Sequence, residues 1–514
     1  MKKYLSLVSA LCFVSVVQAQ QNTAADGLRY TQKDLNGTAR FKAMSGAFGA
    51  LGGDLSSLQV NPAGSALFHY NTAAFSLYTT HKNNQSTYMG NSDSDRYNGL
   101  DFGQMGAAFV YDNANAQSAW KKIVFGINYE SSANFNNNIY AAGISNHSIN
   151  NYFMDFANAG NNGQPIPIEQ LQVAQGESIR SVYQYLGNQP NGFDQQQAFL
   201  GFQSYLFDQD QNGNYTSNVA PGEYFQQNYI STSGYNGKLS ANLSSQIGDR
   251  FYVGTNLNVH FTDYTELSTV YEQRSNYQGE YVRSIAFQNE LYTYGNGFSF
   301  QIGALAKLTE SLRVGASYES PTWYRLKDEL SQVLRTDINQ ALPTEKPTST
   351  RYVTDPNTVN IYREHKLQTP SIYTGSLAYI FGQTGLISFD YTRKDYSKTK
   401  FRPGDAFAYT NAELKNELSS TNEYRVGAEY RIKDVSIRGG YRFEESPYKN
   451  QKVIGDLNSF SAGVGYNFGP SRLDLAYVHT ARPYDVNFLS NGMRDAARIK
   501  TIDNNISLTY SLIF

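Results

Sequence analysis

The chain closes on T-I-D-N-N-I-S-L-T-Y-S-L-I-F, residues Thr501 to Phe514. In an extended strand successive side chains point to opposite faces. Ile502, Ile506, Leu508, Tyr510, Leu512 and Phe514 therefore share one face, and Asp503, Asn505, Ser507, Thr509 and Ser511 share the other. A last strand that is apolar on one side and polar on the other fits the wall of a lipid-embedded barrel, apolar outside and wet inside.

Reading upstream, segments of the same kind recur. The first three are Thr72–Thr80, Leu100–Tyr111 and Lys121–Phe135, and the last is Lys500–Phe514. About fourteen are predicted, an even number, as bacterial single-chain barrels have. Every second connection is tight: Gly248-Asp249, Thr309-Glu310, Gly382-Gln383, Lys433-Asp434 and Gly469-Pro470. The alternate connections are mostly longer, and the longest runs from Phe135 to Asn228. Short periplasmic turns and long external loops are the expected asymmetry. An even strand count then puts both ends of the chain on the periplasmic side.

Composition fits an all-β transmembrane barrel. The 514 residues include 41 Tyr, 30 Phe and 42 Gly, and only 17% are charged. Mean hydropathy is -0.50, because a polar lumen hides a barrel from hydropathy scans. The alternative is a soluble secreted β-protein. A net charge of -2 gives no electrostatic case for nucleic acid. Residues 1–19 read as a secretory leader, with Lys2 and Lys3 before the apolar stretch Tyr4 to Val17 and a cleavage site at Val17-Gln18-Ala19. The only cysteine, Cys12, lies in that leader, so the mature chain has no thiol chemistry.

Residues 20–70 do not alternate and read as a compact plug (hatch), with the barrel following over 71–514. Phe41, Met44, Phe48 and Leu51 have helical spacing, and Asp54 is placed to cap a short turn. The insertion at about 136–228 carries helical spacing over Ile168–Leu186 and Asp194–Phe207, with Asp194 at a cap position. This insertion either roofs the barrel and offers an external apolar groove or packs on itself.

Arg425 and Arg431 on one predicted strand and Arg438 and Arg442 on the next alternate into the lumen, with Glu429 and Glu444 nearby. They read as a ligand-headgroup clamp or as a salt-bridge cluster holding barrel and plug. Asp208-Gln-Asp210-Gln-Asn212-Gly213 resembles half a calcium loop, but Val219 stands at the twelfth position, so it reads as a solvated turn. His260 alternates into the lumen as a polar group. No metal site, cofactor site or nucleophile with its base is nominated, so the chain is not expected to be an enzyme. The many strand tyrosines read as membrane-interface girdles.

Gly52-Gly-Asp-Leu-Ser-Ser-Leu-Gln-Val-Asn61-Pro62-Ala63-Gly64 precedes the first strand. It resembles the hatch signature of the FadL/TodX family of outer-membrane transporters. Arg313 to Pro321 resembles a strand-to-loop segment of that family, Leu377–Tyr391 resembles its Bacteroidetes branch, and Phe514 resembles the outer-membrane assembly signal. The resemblance implies a monomeric fourteen-stranded barrel with an internal hatch, placed in lipid by the barrel assembly machinery. It implies passive uptake of hydrophobic small molecules, long-chain fatty acids above all, by capture at external loops, hatch rearrangement and lateral exit at a kinked third strand. The polar run Ser131 to Asn138 tolerates such a kink. Asn61 is expected to latch the hatch motif Asn61-Pro62-Ala63 to the third strand, the alternative being a simple Asn-Pro turn. The rival functions are haem binding or uptake and a carrier role in type IX secretion.

Overall fold

The computed structural model describes residues 22–514 except 116, 162, 275–280, 341–347, 491 and 494. The leader, its cleavage site and Cys12 lie outside the described residues.

Fourteen antiparallel strands form one closed ring. They are β1 (Thr72–Tyr88), β2 (Asn91–Asp112), β3 (Trp120–Asn134, continued by Asn137–Ser145), β4 (Tyr224–Ile247), β5 (Phe251–Gln273) and β6 (Val282–Lys307). Next come β7 (Leu312–Glu319, then Trp323–Gln340), β8 (short outer pieces, then Ile372–Phe381), β9 (Gly385–Asp395) and β10 (Ser420–Ile432). The ring ends with β11 (Val435–Glu444), β12 (Leu457–Asn467), β13 (Ser471–Asn487) and β14 (Ala496–Ile513). β1 pairs with β14 from Thr72↔Ile513 to Thr87↔Arg498, so the seam leaves no edge. The alternation that predicts the last strand holds: Ile506, Leu508, Tyr510 and Leu512 face outward, while Asn505, Ser507 and Thr509 are buried inside.

β4, β5 and β6 hold 24, 23 and 26 residues. About 10 tilted residues cross a bilayer, so this wall stands well above the apolar band. The insertion rests on it. Its helices are α3 (Asn150–Ala159), α4 (Ile168–Leu171), α5 (Ile179–Gly187) and α6 (Gly192–Gln203), after α1 (Ala24–Arg29) and α2 (Ala39–Ala43) of the N-terminal segment. Phe153, Phe156, Leu186 and Phe199 bury against Phe287 and Leu334 of the wall and Phe488 of the connection that follows β13. The insertion thus roofs the barrel with its apolar side inward. The single helix expected over 168–186 is broken into α4 and α5. Asp194 lies inside the first turn of α6, whose N-cap is Asn191.

The N-terminal segment threads the lumen from the outer end. Ala24–Arg29 (α1) packs Ala24 and Leu28 against Phe401, Phe407 and Leu414, the last on helix α7 (Ala408–Glu417) in the long β9–β10 connection. Asn22 accepts a bond from Thr410 Oγ1 at 2.7 Å. Phe514 sits at the periplasmic end as expected, but Asn22 does not. Burial of the apolar face of α1 against the outer loops holds it at the far end.

Candidate functional site

Inside the ring the segment from Asn22 to Asn71 is mostly irregular, so its backbone groups need partners from the wall. Asn256 Nδ2 donates to Leu58 O at 2.8 Å, Asn242 Nδ2 to Pro62 O at 3.1 Å and Gln301 Nε2 to Val60 O at 3.0 Å. The buried Asp390 carboxylate accepts from Phe48 N at 3.0 Å and Gly49 N at 3.1 Å. Two wall glycines permit the close approach: a Cβ on Gly254 would lie 2.4 Å from Pro62 O, and one on Gly303 would lie 2.1 Å from Asn61 Oδ1. The helical spacing from Ala39 yields only the short α2 (Ala39–Ala43), yet Phe41, Met44, Phe48 and Leu51 still share one apolar cluster. Asp54 caps the following 3-10 turn by accepting from Ser56 N at 2.9 Å.

Asn61 caps the 3-10 turn Pro62–Leu67, accepting from Ala63 N at 3.1 Å. Pro62 takes the first helical position, where a missing N–H is harmless, and Ala63 is fully buried. Asn61 Nδ2 donates to Gly49 O at 2.7 Å and to Ala304 O at 3.0 Å. The latch therefore joins plug to wall at β6, and not at the third strand. The reason is geometric: Gly303 is the gap that admits this side chain. Asn61→Ala removes three bonds, to Ala63 N, Gly49 O and Ala304 O, a cost of about 1–3 kcal/mol. The expected result is at least tenfold faster amide exchange over residues 49–64 in the assembled barrel. Exchange unchanged from wild type would remove the latch role.

The third strand parts from the backbone ladder of its neighbour β2 partway up the wall. β2 pairs with β3 from Asp112↔Lys122 to Gln104↔Glu130 and no farther. β2 continues beside β1 as far as Tyr88↔Asn91. β3 instead follows β4, with a register shift at Ser131/Ala133, and resumes pairing with it from Asn137↔Thr232 to Ser145↔Tyr224. Its outer half leans over the lumen face of β1. Lys82 Nζ donates to Asn134 O at 3.1 Å and Asn136 O at 2.9 Å, and Ser86 Oγ donates to Tyr140 O at 2.6 Å. The polar run Ser131 to Asn138 is the sequence of this kink.

Asp34, which sequence reading passed over, ties the plug to that kink. Its backbone N donates to Ser132 O at 2.9 Å, and its carboxylate accepts from Asn134 N at 2.8 Å. Asn134 Nδ2 reaches across the gap to Asp101 Oδ2 at 2.7 Å. Phe135 turns inward, edge-on to Tyr30 and Tyr264. Behind the kink lies a cavity of about 60 Å³, lined by residues that include Lys42, Tyr78, Lys82 and Asp503. Lys42 donates to Asn505 Oδ1 at 2.5 Å, and burial pushes its ammonium down to about 7. The cavity has room for a few waters and none for an acyl chain.

The four predicted arginines do face inward, but they split between two levels. Arg438 donates to Glu429 Oε2 at 2.7 Å and to Asp474 Oδ1 at 2.8 Å, and Arg431 donates to Glu429 Oε1 at 2.6 Å. Arg40 of the plug joins the same carboxylate at 2.9 Å. Arg425 and Arg442 instead meet at Glu423, with Lys394 also paired to it at 2.9 Å. Six residues of strand, about 20 Å at ~3.4 Å each, separate Glu423 from Glu429. The single cluster expected from alternation is thus two, because cross-strand register sets Arg438 opposite Glu429 and Arg442 opposite Arg425. Asp210 Oδ1 accepts from Asn212 N and Asn214 N, closing that segment as a turn. His260 is buried in the lumen and bonded to Ser299 Oγ at 2.8 Å.

Among solved structures, a FadL homologue of Pseudomonas aeruginosa shares 11% identity with a TM-score of 0.54, the match covering 94% of this chain and 100% of that one. The toluene transporter TodX of P. putida shares 14% identity with a TM-score of 0.51, covering 94% and 99%. At such identities the likeness carries the fold alone. No curated protein sequence matches. A family model described as outer membrane protein transport protein (OMPP1/FadL/TodX) matches residues 214–495, more than half of the chain. The chain is an outer-membrane protein and belongs to that transport family.

Proposed function

We propose that this chain is a passive outer-membrane channel for hydrophobic compounds, long-chain fatty acids first among them. It works as a monomer: external capture, movement of the plug, and sideways exit between β2 and β3. One observation carries the reading, the end of β2–β3 pairing at Gln104↔Glu130. A tail gains about 0.8 kcal/mol per CH₂ on leaving water. A path from roof to wall to bilayer keeps that gain, and a wet pore would forfeit it. The carbonyls freed at the kink are bonded by Lys82, Asn84 and Ser86, so these acceptors are not left open on the β3 side of the gap.

The test is uptake of radiolabelled oleate by a strain lacking its own fatty-acid transporter. Expression of this chain is expected to restore uptake that rises with the amount assembled. Surface assembly without uptake would sink the fatty-acid reading.

A further inference from the structure

At the periplasmic end, beneath the plug, lies a cavity of about 400 Å³. Arg40, Lys307, Arg313, Arg431 and Arg472 line it, along with the apolar Leu67. Arg40 and Arg431 share Glu429, and Arg472 bonds Asp474 at 3.0 Å. Arg438 draws on both of the same carboxylates. Four cations thus share two acids. Lys307 and Arg313 form no ion pair among the described residues, and Glu310 acts on Arg313 only through space. The Lys307 ammonium faces the Tyr252 ring at 5.2 Å. Arg313 Nη1 donates only to Leu51 O at 3.1 Å, and its Nε is buried with no acceptor.

A half-enclosed cleft of one sign concentrates its field and draws in counter-ions. The excess here exceeds what one carboxylate neutralises, and the planar guanidinium forks match phosphate oxygens. We propose that this vestibule binds a multiply charged phosphate group presented from the periplasmic side, held by Lys307 and Arg313. The group is either that of a free solute or the headgroup of a lipid in the adjoining leaflet. This site lies at the opposite end of the plug from α1, and binding there is separate from lateral exit.

The test is calorimetric titration of the full barrel in an uncharged detergent, first with sodium pyrophosphate and then with dihexanoyl phosphatidic acid below its micelle concentration. Saturable binding is expected that weakens as salt rises. Lys307→Gln with Arg313→Gln is expected to weaken it at least tenfold, while Lys307→Arg keeps it. Equal binding of both probes assigns the site to free phosphate solutes, and tenfold tighter binding of the lipid assigns it to headgroups. Absence of saturable binding for both probes overturns the proposal. So does binding that survives in a double variant that still migrates as a folded barrel.

Discussion

Joining positions 101 and 134 by a short thiol cross-link is expected to cut oleate uptake at least tenfold, with recovery when a cleavable linker is opened. Asp101 on β2 and Asn134 on β3 face each other where backbone pairing has already ceased, and a 2.7 Å side-chain bond spans them, with Asn91, Asp93 and Asn138 bridging the same two strands farther out. A lipid leaving sideways must part these strands. The variant Asp101→Cys with Asn134→Cys places both thiols across that gap, and the only native cysteine, Cys12, precedes the described residues. Asp101→Ala is the control. It breaks the bridge without adding a tether, so uptake is expected to stay at or above wild type. If the cross-linked barrel transports as well as the untreated one, ligand leaves by another route and lateral exit is wrong.

Lipid contact explains how much of this fold can be read from sequence. Where one face meets lipid and the other meets water, alternation is strict. β11 is predicted over Val435–Glu444 and is observed over the same residues. Above the bilayer both faces are wet and the signal fades. Residues 81–99 carry no apolar face, so they read as a loop, yet they continue β1 and β2 through a tight turn at Met89-Gly90. Both turn residues have positive φ, 49° and 81°, the hairpin geometry that suits strand twist. Helix α3 was legible and was missed: Ile149, Tyr152, Phe153, Phe156 and Ala157 repeat at helical spacing and are all buried.

The candidate site was legible only in part, for a different reason. Asn61 shows itself as a cap because its partner, Ala63 N, is two residues away. Its wall partner Ala304 is not local. Asp34, Asp390 and Glu423 gain their roles from groups brought together by barrel closure, and nothing near them in sequence marks them.

Glu423→Ala carries the other large expected effect. Glu423 accepts from Arg425 Nε at 2.7 Å and Arg442 Nε at 2.6 Å and pairs with Lys394, and the set is almost wholly buried. Glu444 also lies close by, taking Arg442 at 2.7 Å and standing 3.8 Å from Lys394, and Asp390 is opposite Arg425 across the strands. Without Glu423, Lys394 and Arg442 fall back on Glu444, which Arg482 already draws on at 3.9 Å, and Arg425 loses its ion pair. Removing one partner of a buried pair costs about 3–5 kcal/mol, because the charge left behind lacks both water and a counter-ion. Arg442 Nη2 also reaches Lys33 O of the plug at 3.4 Å, so the loss extends to plug docking. The folded-barrel band on a semi-native gel is expected to give way at a markedly lower temperature, with uptake per assembled barrel within about twofold of wild type. The same cluster as a ligand headgroup clamp requires the opposite pattern: unchanged heat stability and a KM for oleate shifted tenfold or more. A buried carboxylate already bonded by two arginines and a lysine fills the place that a ligand carboxylate would take, which is why the structural outcome is the expected one.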